Sequence, residues 1–149
     1  MTKLLDIICQ FFHTQNWYFS KIEGESVLRM DVGAKNGEWS CFAQLIEDPN
    51  RFVFYSVIPE KIVATKRVSV AEYLTRVNYG LVIGNFEMDF DDGEIRFRTS
   101  VDVVNDILEF DLIKSLVYTN IGTVDKYLPG IWQVVENDIA PLTALATIL

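Results

Sequence analysis

Two turn signals early in the chain constrain its folding more than any other feature. Asn36-Gly37 and Glu47-Asp48-Pro49-Asn50 separate three runs of alternating character: Val27 to Ala34, Glu38 to Ile46 and Arg51 to Ile58. Asn-Gly between such runs is a strong signal for a two-residue hairpin loop, because both residues tolerate the positive φ that a tight loop demands. Counting outward from that loop sets Ala34 opposite Trp39, Val32 opposite Cys41, Met30 opposite Ala43 and Leu28 opposite Leu45. Counting across the second turn places Phe52, Phe54, Ser56 and Ile58 on the face that carries Leu45, Ala43, Cys41 and Trp39. Two independent turns agree on one apolar face, which makes this stretch an antiparallel meander.

The opposite face of that meander is less polar than a solvated face should be. It carries Val27, Phe42, Ile46, Val53, Tyr55 and Val57 among Arg29, Asp31 and Gln44. Such a face needs a cover, either a second layer of the same chain, which is expected first, or another protein. The apolar tail from Leu142 to Leu149 is the in-chain candidate. A second copy is the outside candidate, because an isologous contact needs only one self-complementary patch. Phe42, Val53, Tyr55 and Val57 are therefore the candidate protein-interaction residues.

Helical periodicity flanks the strands. Thr2 is placed to cap a first helix to about Thr14, with Leu4, Leu5, Ile8, Phe11 and Phe12 as its apolar stripe. Tyr18 to Glu23 reads as a short strand. Ser69 and Glu72 have capping-box spacing, opening a helix to about Ile83 with Val70, Tyr73, Leu74, Val77 and Leu81 inward. From about Asn105 a helical pattern runs through Ile107, Phe110, Ile113, Leu116 and Val117 to Gly122. Thr123 can start it again, and Pro129 should kink it.

Between these helices, Phe86 to Val101 alternates again around Asp92-Gly93. A two-residue loop there pairs Phe90 with Ile95 and Met88 with Phe97, and sets Asp89 against Arg96 and Glu87 against Arg98. Cross-strand opposite charges are a sufficient structural reason for the charged ribbon. The order of elements, with helices and antiparallel strands not interleaved one by one, defines an α+β protein.

Chemistry is harder to find. His13 is the only histidine, so triads and zinc sites of Cys and His type rest on one residue near a helix end, where a surface imidazole is the plainer reading. Neither Gly-rich nucleotide motif occurs. Asp89, Asp91, Asp92 and Glu94 do not keep calcium-loop spacing and read as a hairpin turn. Cys9 and Cys41 lack CxxC partners and read as reduced thiols. No catalytic residue, metal or cofactor is expected. A net charge of −8 opposes binding to nucleic acid or to an anionic membrane. With no signal-peptide pattern at the N-terminus, a cytoplasmic protein is expected.

Three blocks together resemble the YbjN-like family of bacterial proteins: VLRMDVGAKNGEWSCFAQLIED, then RVSVAEYLTRVN ending in Asn78, then Gly84-Asn85-Phe86-Glu87-Met88-Asp89 with EIRFRTSV. The resemblance spans the whole chain, 1–149, as a single YbjN-like domain. It implies an antiparallel sheet in α-β-β-β-α-β-β-α order with the fold of type III secretion chaperones. It also implies a sensory transduction regulator with no known catalytic residues and no cofactor. Dimerisation and protein binding follow by analogy with those chaperones. The function expected is a non-enzymatic protein-interaction or chaperone-like regulator, a homodimer with a possible protein partner or client. The alternative is a small-molecule sensor with a pocket between sheet and helices.

Overall fold

The computed structural model describes residues 3–149. The Thr2 cap lies outside the described residues. Helix α1 (Lys3–Thr14) is followed by strands β1 (Ser20–Lys21), β2 (Val27–Gly33), β3 (Glu38–Ile46) and β4 (Arg51–Val57). A 3-10 turn, Ala64–Lys66, leads into α2 (Arg67–Tyr79), then β5 (Asn85–Met88), β6 (Ile95–Asp102), α3 (Phe110–Asn137) and α4 (Pro141–Ile148). The strands form one six-stranded sheet in the order β1-β2-β3-β4-β6-β5, with every neighbouring pair antiparallel. The fold is α+β, as the sequence implies.

One face of the sheet makes the core. Leu28, Met30, Trp39, Cys41, Ala43, Leu45, Phe52, Phe54, Ile95 and Phe97 are buried there beneath the helices. The α1 stripe of Leu4, Leu5, Ile8, Phe11 and Phe12 is buried as its spacing requires. Helices α1, α2 and α3 touch the sheet, and α4 packs on α2 and α3.

Both tight hairpin loops are longer than expected. The first holds residues 34–37 between the Gly33–Glu38 pair, so Val32 faces Trp39 and Met30 faces Cys41. Ala34 N–H donates to the Gly37 carbonyl at 2.9 Å. Neither Asn36 nor Gly37 takes the positive φ of a two-residue loop. The reason lies outside the hairpin. Asn36 N–H donates to Asp125 Oδ1 at 2.7 Å, and Asn36 Nδ2 donates to the Asp125 carbonyl at 2.8 Å. That carbonyl stands four residues before Pro129, which has no N–H to offer it. Docking on α3 thus selects a wider loop. The turn at residues 47–50 keeps its expected register, with Leu45 opposite Phe52 and Ala43 opposite Phe54.

Other boundaries shift for local reasons. β1 shrinks to two residues because Asn16 turns left-handed (φ 60°) and Phe19 packs on Phe12 and His13. α2 begins at Arg67, ahead of Ser69, without a side-chain cap, and Glu72 pairs with Arg76 at 2.9 Å instead of closing a capping box. It ends at Tyr79. α3 begins at Phe110 because Asn105 and Asp106 are both left-handed, which leaves Ile107 exposed and buries Leu108. Once started, α3 runs unbroken through Gly122, Thr123 and Pro129. Thr123 does not cap a new helix; its hydroxyl donates to the Thr119 carbonyl at 2.7 Å.

Candidate interaction face

The sheet face turned away from the helices is built in cross-strand rows. One row reads Arg29, Phe42, Tyr55, Arg98, Asn85 from β2 to β5, and the next reads Asp31, Ser40, Val57, Arg96, Glu87. A third runs Val27, Gln44, Val53, Ser100. In the first two rows Phe42, Tyr55 and Val57 lie between the charged Arg29 and Asp31 on one side and Arg98, Arg96 and Glu87 on the other; the third row carries no charge. Phe42, Tyr55 and Val57 are half-buried. Val53 is only 4% exposed, so its neighbours on the same face already shield it.

Among the described residues, the in-chain cover expected for this face is not there. α4 docks on α2 and α3, on the other side of the sheet, where Ala144 is fully buried. Asp138 just before it pairs with Lys66 at the start of α2. The four candidate residues therefore share one face, and three of them present surface on it.

Charges frame the apolar strip. Glu87 accepts from Arg96 Nε at 2.8 Å and also from Arg98. Arg96 in turn lies over the Tyr55 ring, 4.5 Å from its centroid. On the other flank Ser40 Oγ donates to Asp31 Oδ1 at 2.8 Å and accepts from Arg29 at 3.3 Å. A groove of about 740 Å³ opens at this end, with Arg29, Asp31, Ser40, Phe42, Val57 and Lys61 among its walls. The rim comes from the loop after β4, where Lys61 Nζ bonds Asp92 at 2.8 Å. This pair raises the lysine pKa and lowers that of Asp92 through their mutual hydrogen bond.

The expected Asp89–Arg96 pair is not formed. The second hairpin loop spans residues 89–94, so Glu87 faces Arg96 and Met88 faces Ile95. Asp89 instead organises the loop: its N–H donates to the Glu94 carbonyl at 2.9 Å, and its carboxylate accepts from Asp91 N–H at 2.8 Å. Arg67 braces the same loop by donating to the carbonyls of Ile62 at 2.9 Å and Phe90 at 3.1 Å. Phe90, expected opposite Ile95, is exposed.

Asn78, the last residue of the second family block, has a structural role near the end of α2. Its side-chain amide accepts from Phe86 N–H at 2.8 Å and donates to the Phe86 carbonyl at 3.0 Å. It thus pairs the outer edge of β5 as another strand would. Gly84 lets the chain enter β5 close against β6: φ is +79°, and a Cβ there would meet the Phe97 ring at 2.7 Å.

The polar centre of the core went unseen in the sequence. Asn120 of α3 is fully buried and donates to the carbonyls of Phe54 at 2.9 Å and Phe97 at 3.1 Å. Ser56 Oγ donates to Asn120 Oδ1 at 2.6 Å and accepts from Trp39 Nε1 at 3.0 Å. Cys41 Sγ lies 3.3 Å from the same hydroxyl. Every member is satisfied, so the cluster locks α3 to β4 and β6 and exposes no reactive group. His13 is exposed at the end of α1 and packs against Phe19 with the ring planes tilted by 56° and the centroids 4.9 Å apart. Among the described residues no three His, Cys, Asp or Glu side chains gather as a metal site requires, and no helix is long and apolar enough to cross a membrane.

A sheet covered by helices on one face, with a framed apolar strip on the other, defines a one-sided α+β scaffold. The profile of the YbjN family, described as "Putative bacterial sensory transduction regulator", matches residues 4–131, and the chain belongs to that family. Among solved structures it is similar to "Crystal structure of YbjN, a putative transcription regulator from E. coli". The two align with a TM-score of 0.62 at 14% identity, covering 81% of this chain and 85% of the other. At that identity the likeness shows the fold alone. No curated protein matches the chain.

Proposed function

We propose that this chain is a non-enzymatic regulator that works by binding protein through the outer face of its sheet, and that its first partner is a second copy of itself. The observation that carries this reading is the strip of Phe42, Tyr55 and Val57, which no described residue covers as a second layer while the helices pack on the other face. Half-buried aromatic and β-branched side chains side by side, framed by charges, have the layout of an interface core and rim. The family's description as a regulator supports the non-enzymatic part. A client protein held on the same face would be the chaperone-like extension. A cytoplasmic setting belongs to the proposal, since Cys9 and Cys41 are both free thiols.

Sedimentation tests it. Wild-type protein should run as a dimer at micromolar concentration, burying on the order of 1,200–2,000 Å² in total. Phe42→Glu and Tyr55→Glu should each yield monomers with unchanged far-ultraviolet circular dichroism. A wild type that stays monomeric at high micromolar concentration refutes the dimer and leaves the face to a different protein.

One observation favours a second reading. The groove of about 740 Å³ mixes Arg29, Asp31, Ser40 and Lys61 with Phe42 and Val57, a lining suited to a small polar ligand. It opens on the outer face, whereas the space between sheet and helices is filled by buried side chains. A saturable rise in melting temperature with one member of a panel of nucleotides and divalent ions would favour this sensor reading.

A further inference from the structure

Asn36-Gly37 does not make the tight loop that its sequence advertises, and its chemistry therefore needs a separate account. Asparagine before glycine is the pair most open to attack of the next backbone nitrogen on the side-chain amide, because glycine has no Cβ to obstruct the approach. Asn36 is exposed, so water reaches it. Yet both its ends are tied: its N–H to Asp125 Oδ1 at 2.7 Å and its Nδ2 to the Asp125 carbonyl at 2.8 Å. The second tie exists because Pro129 leaves that carbonyl without its helical donor.

We propose that Asn36 is a spontaneous deamidation site gated by this latch, and that its product releases the hairpin tip from α3 for good. In the unlatched tip, the Gly37 nitrogen attacks Asn36 Cγ. The new N–Cγ bond forms, the Cγ–Nδ2 bond breaks, and ammonia leaves carrying the Gly37 proton. Water then opens the cyclic imide at either carbonyl, giving aspartate or isoaspartate. Neither product restores the latch. A carboxylate has no hydrogen to donate to the Asp125 carbonyl, and it stands against the Asp125 carboxylate. The strand ends next to this tip, Gly33 and Glu38, line the groove on the outer face. The reaction thus acts at one end of that groove, whatever binds there.

The test uses the full chain incubated at mildly alkaline pH, with aspartate and isoaspartate at position 36 read by peptide mass mapping. Asp125→Ala removes one charged acceptor and should react roughly ten-fold faster than wild type. Asp125→Asn keeps an oxygen for the Asn36 N–H and should stay near the wild-type rate. Equal rates in wild type and Asp125→Ala overturn the gate. Asn36→Asp supplies a second, independent readout by amide hydrogen exchange. Its residue-36 amide should exchange roughly ten-fold faster than in wild type. Unchanged protection there overturns the permanent release, even if Asp125→Ala fails to fold.

Discussion

Cys41 and Tyr73 both carry an acidic proton into places that water does not reach. Burial pushes the Cys41 thiol from its ordinary 9.0 up to about 12, against the opposing hydrogen bonds of Ser56 and Trp39. Burial also raises Tyr73, with Tyr127 adding to the shift, while the Tyr73 hydroxyl donates to the Tyr127 carbonyl at 2.8 Å. Both groups hold their protons in the folded chain at a pH where the unfolded chain has released them. The unfolded state then binds fewer protons, so stability must fall as pH rises. For Cys41 the contribution is complete below the ordinary thiol value and disappears on the way to about 12. Urea unfolding from about pH 8 to pH 11 should show this loss, at up to about 1.4 kcal/mol per pH unit for each titrating group. Cys41→Ala should flatten the slope by as much as one proton, and an unchanged slope would remove the thiol from the account. The burial of Cys41 was legible from alternation in β3. Asn120 was not, because its partners, the Phe54 and Phe97 carbonyls and the Ser56 hydroxyl, lie on strands remote in sequence, and its neighbours in α3 follow an ordinary apolar stripe.

At the scale of elements, both hairpins are displaced from the sequence reading by the same step. Each loop is wider than two residues, and each strand pair moves by two in register, so every side chain keeps its face. Parity is set by the apolar face that has to be buried, which alternation reveals directly. Register is set at the loop, and here both loops are held from outside: the first by Asp125 of α3, the second by Arg67 of α2. Neither brace is a local signal. The sheet core was therefore legible, and so was the Glu87–Arg98 ion pair, while the pairing of Glu87 with Arg96 was not. The cross-sheet rows fail for a related reason. β4 pairs with β6 rather than with a sequential neighbour, so nothing near Tyr55 shows that Arg96 will lie over it. A double-mutant cycle separates the two registers. Glu87 with Arg96 should couple by about 0.5–1 kcal/mol, as a half-exposed cross-strand pair does. Asp89 with Arg96 should show no coupling, and the reverse result would restore the tighter loop.

For the whole molecule, the uneven treatment of the two sheet faces is the feature with consequences. The inner face is closed by α1, α2 and α3 and pinned by Asn120, and α4 adds to the same side. The outer face keeps its apolar strip and its groove on one continuous surface. β5, at one edge of the sheet, has Asn78 on its backbone, which discourages growth by strand addition there. The proposed association therefore uses the face rather than this edge. If two copies meet on it, folding and association are linked, and the melting temperature must rise with protein concentration. Phe42→Glu should abolish that dependence. It should change the melting temperature of dilute protein little, because Phe42 is only half-buried within the single chain and lies outside the core cluster. A substitution in the core behaves in the opposite way. Phe54→Ala should lower the melting temperature at every concentration, by the equivalent of about 3–5 kcal/mol. Comparing the two variants across a concentration series separates an interface residue from a folding residue. A wild-type melting temperature that is flat with concentration would rule out self-association through this face in the range covered.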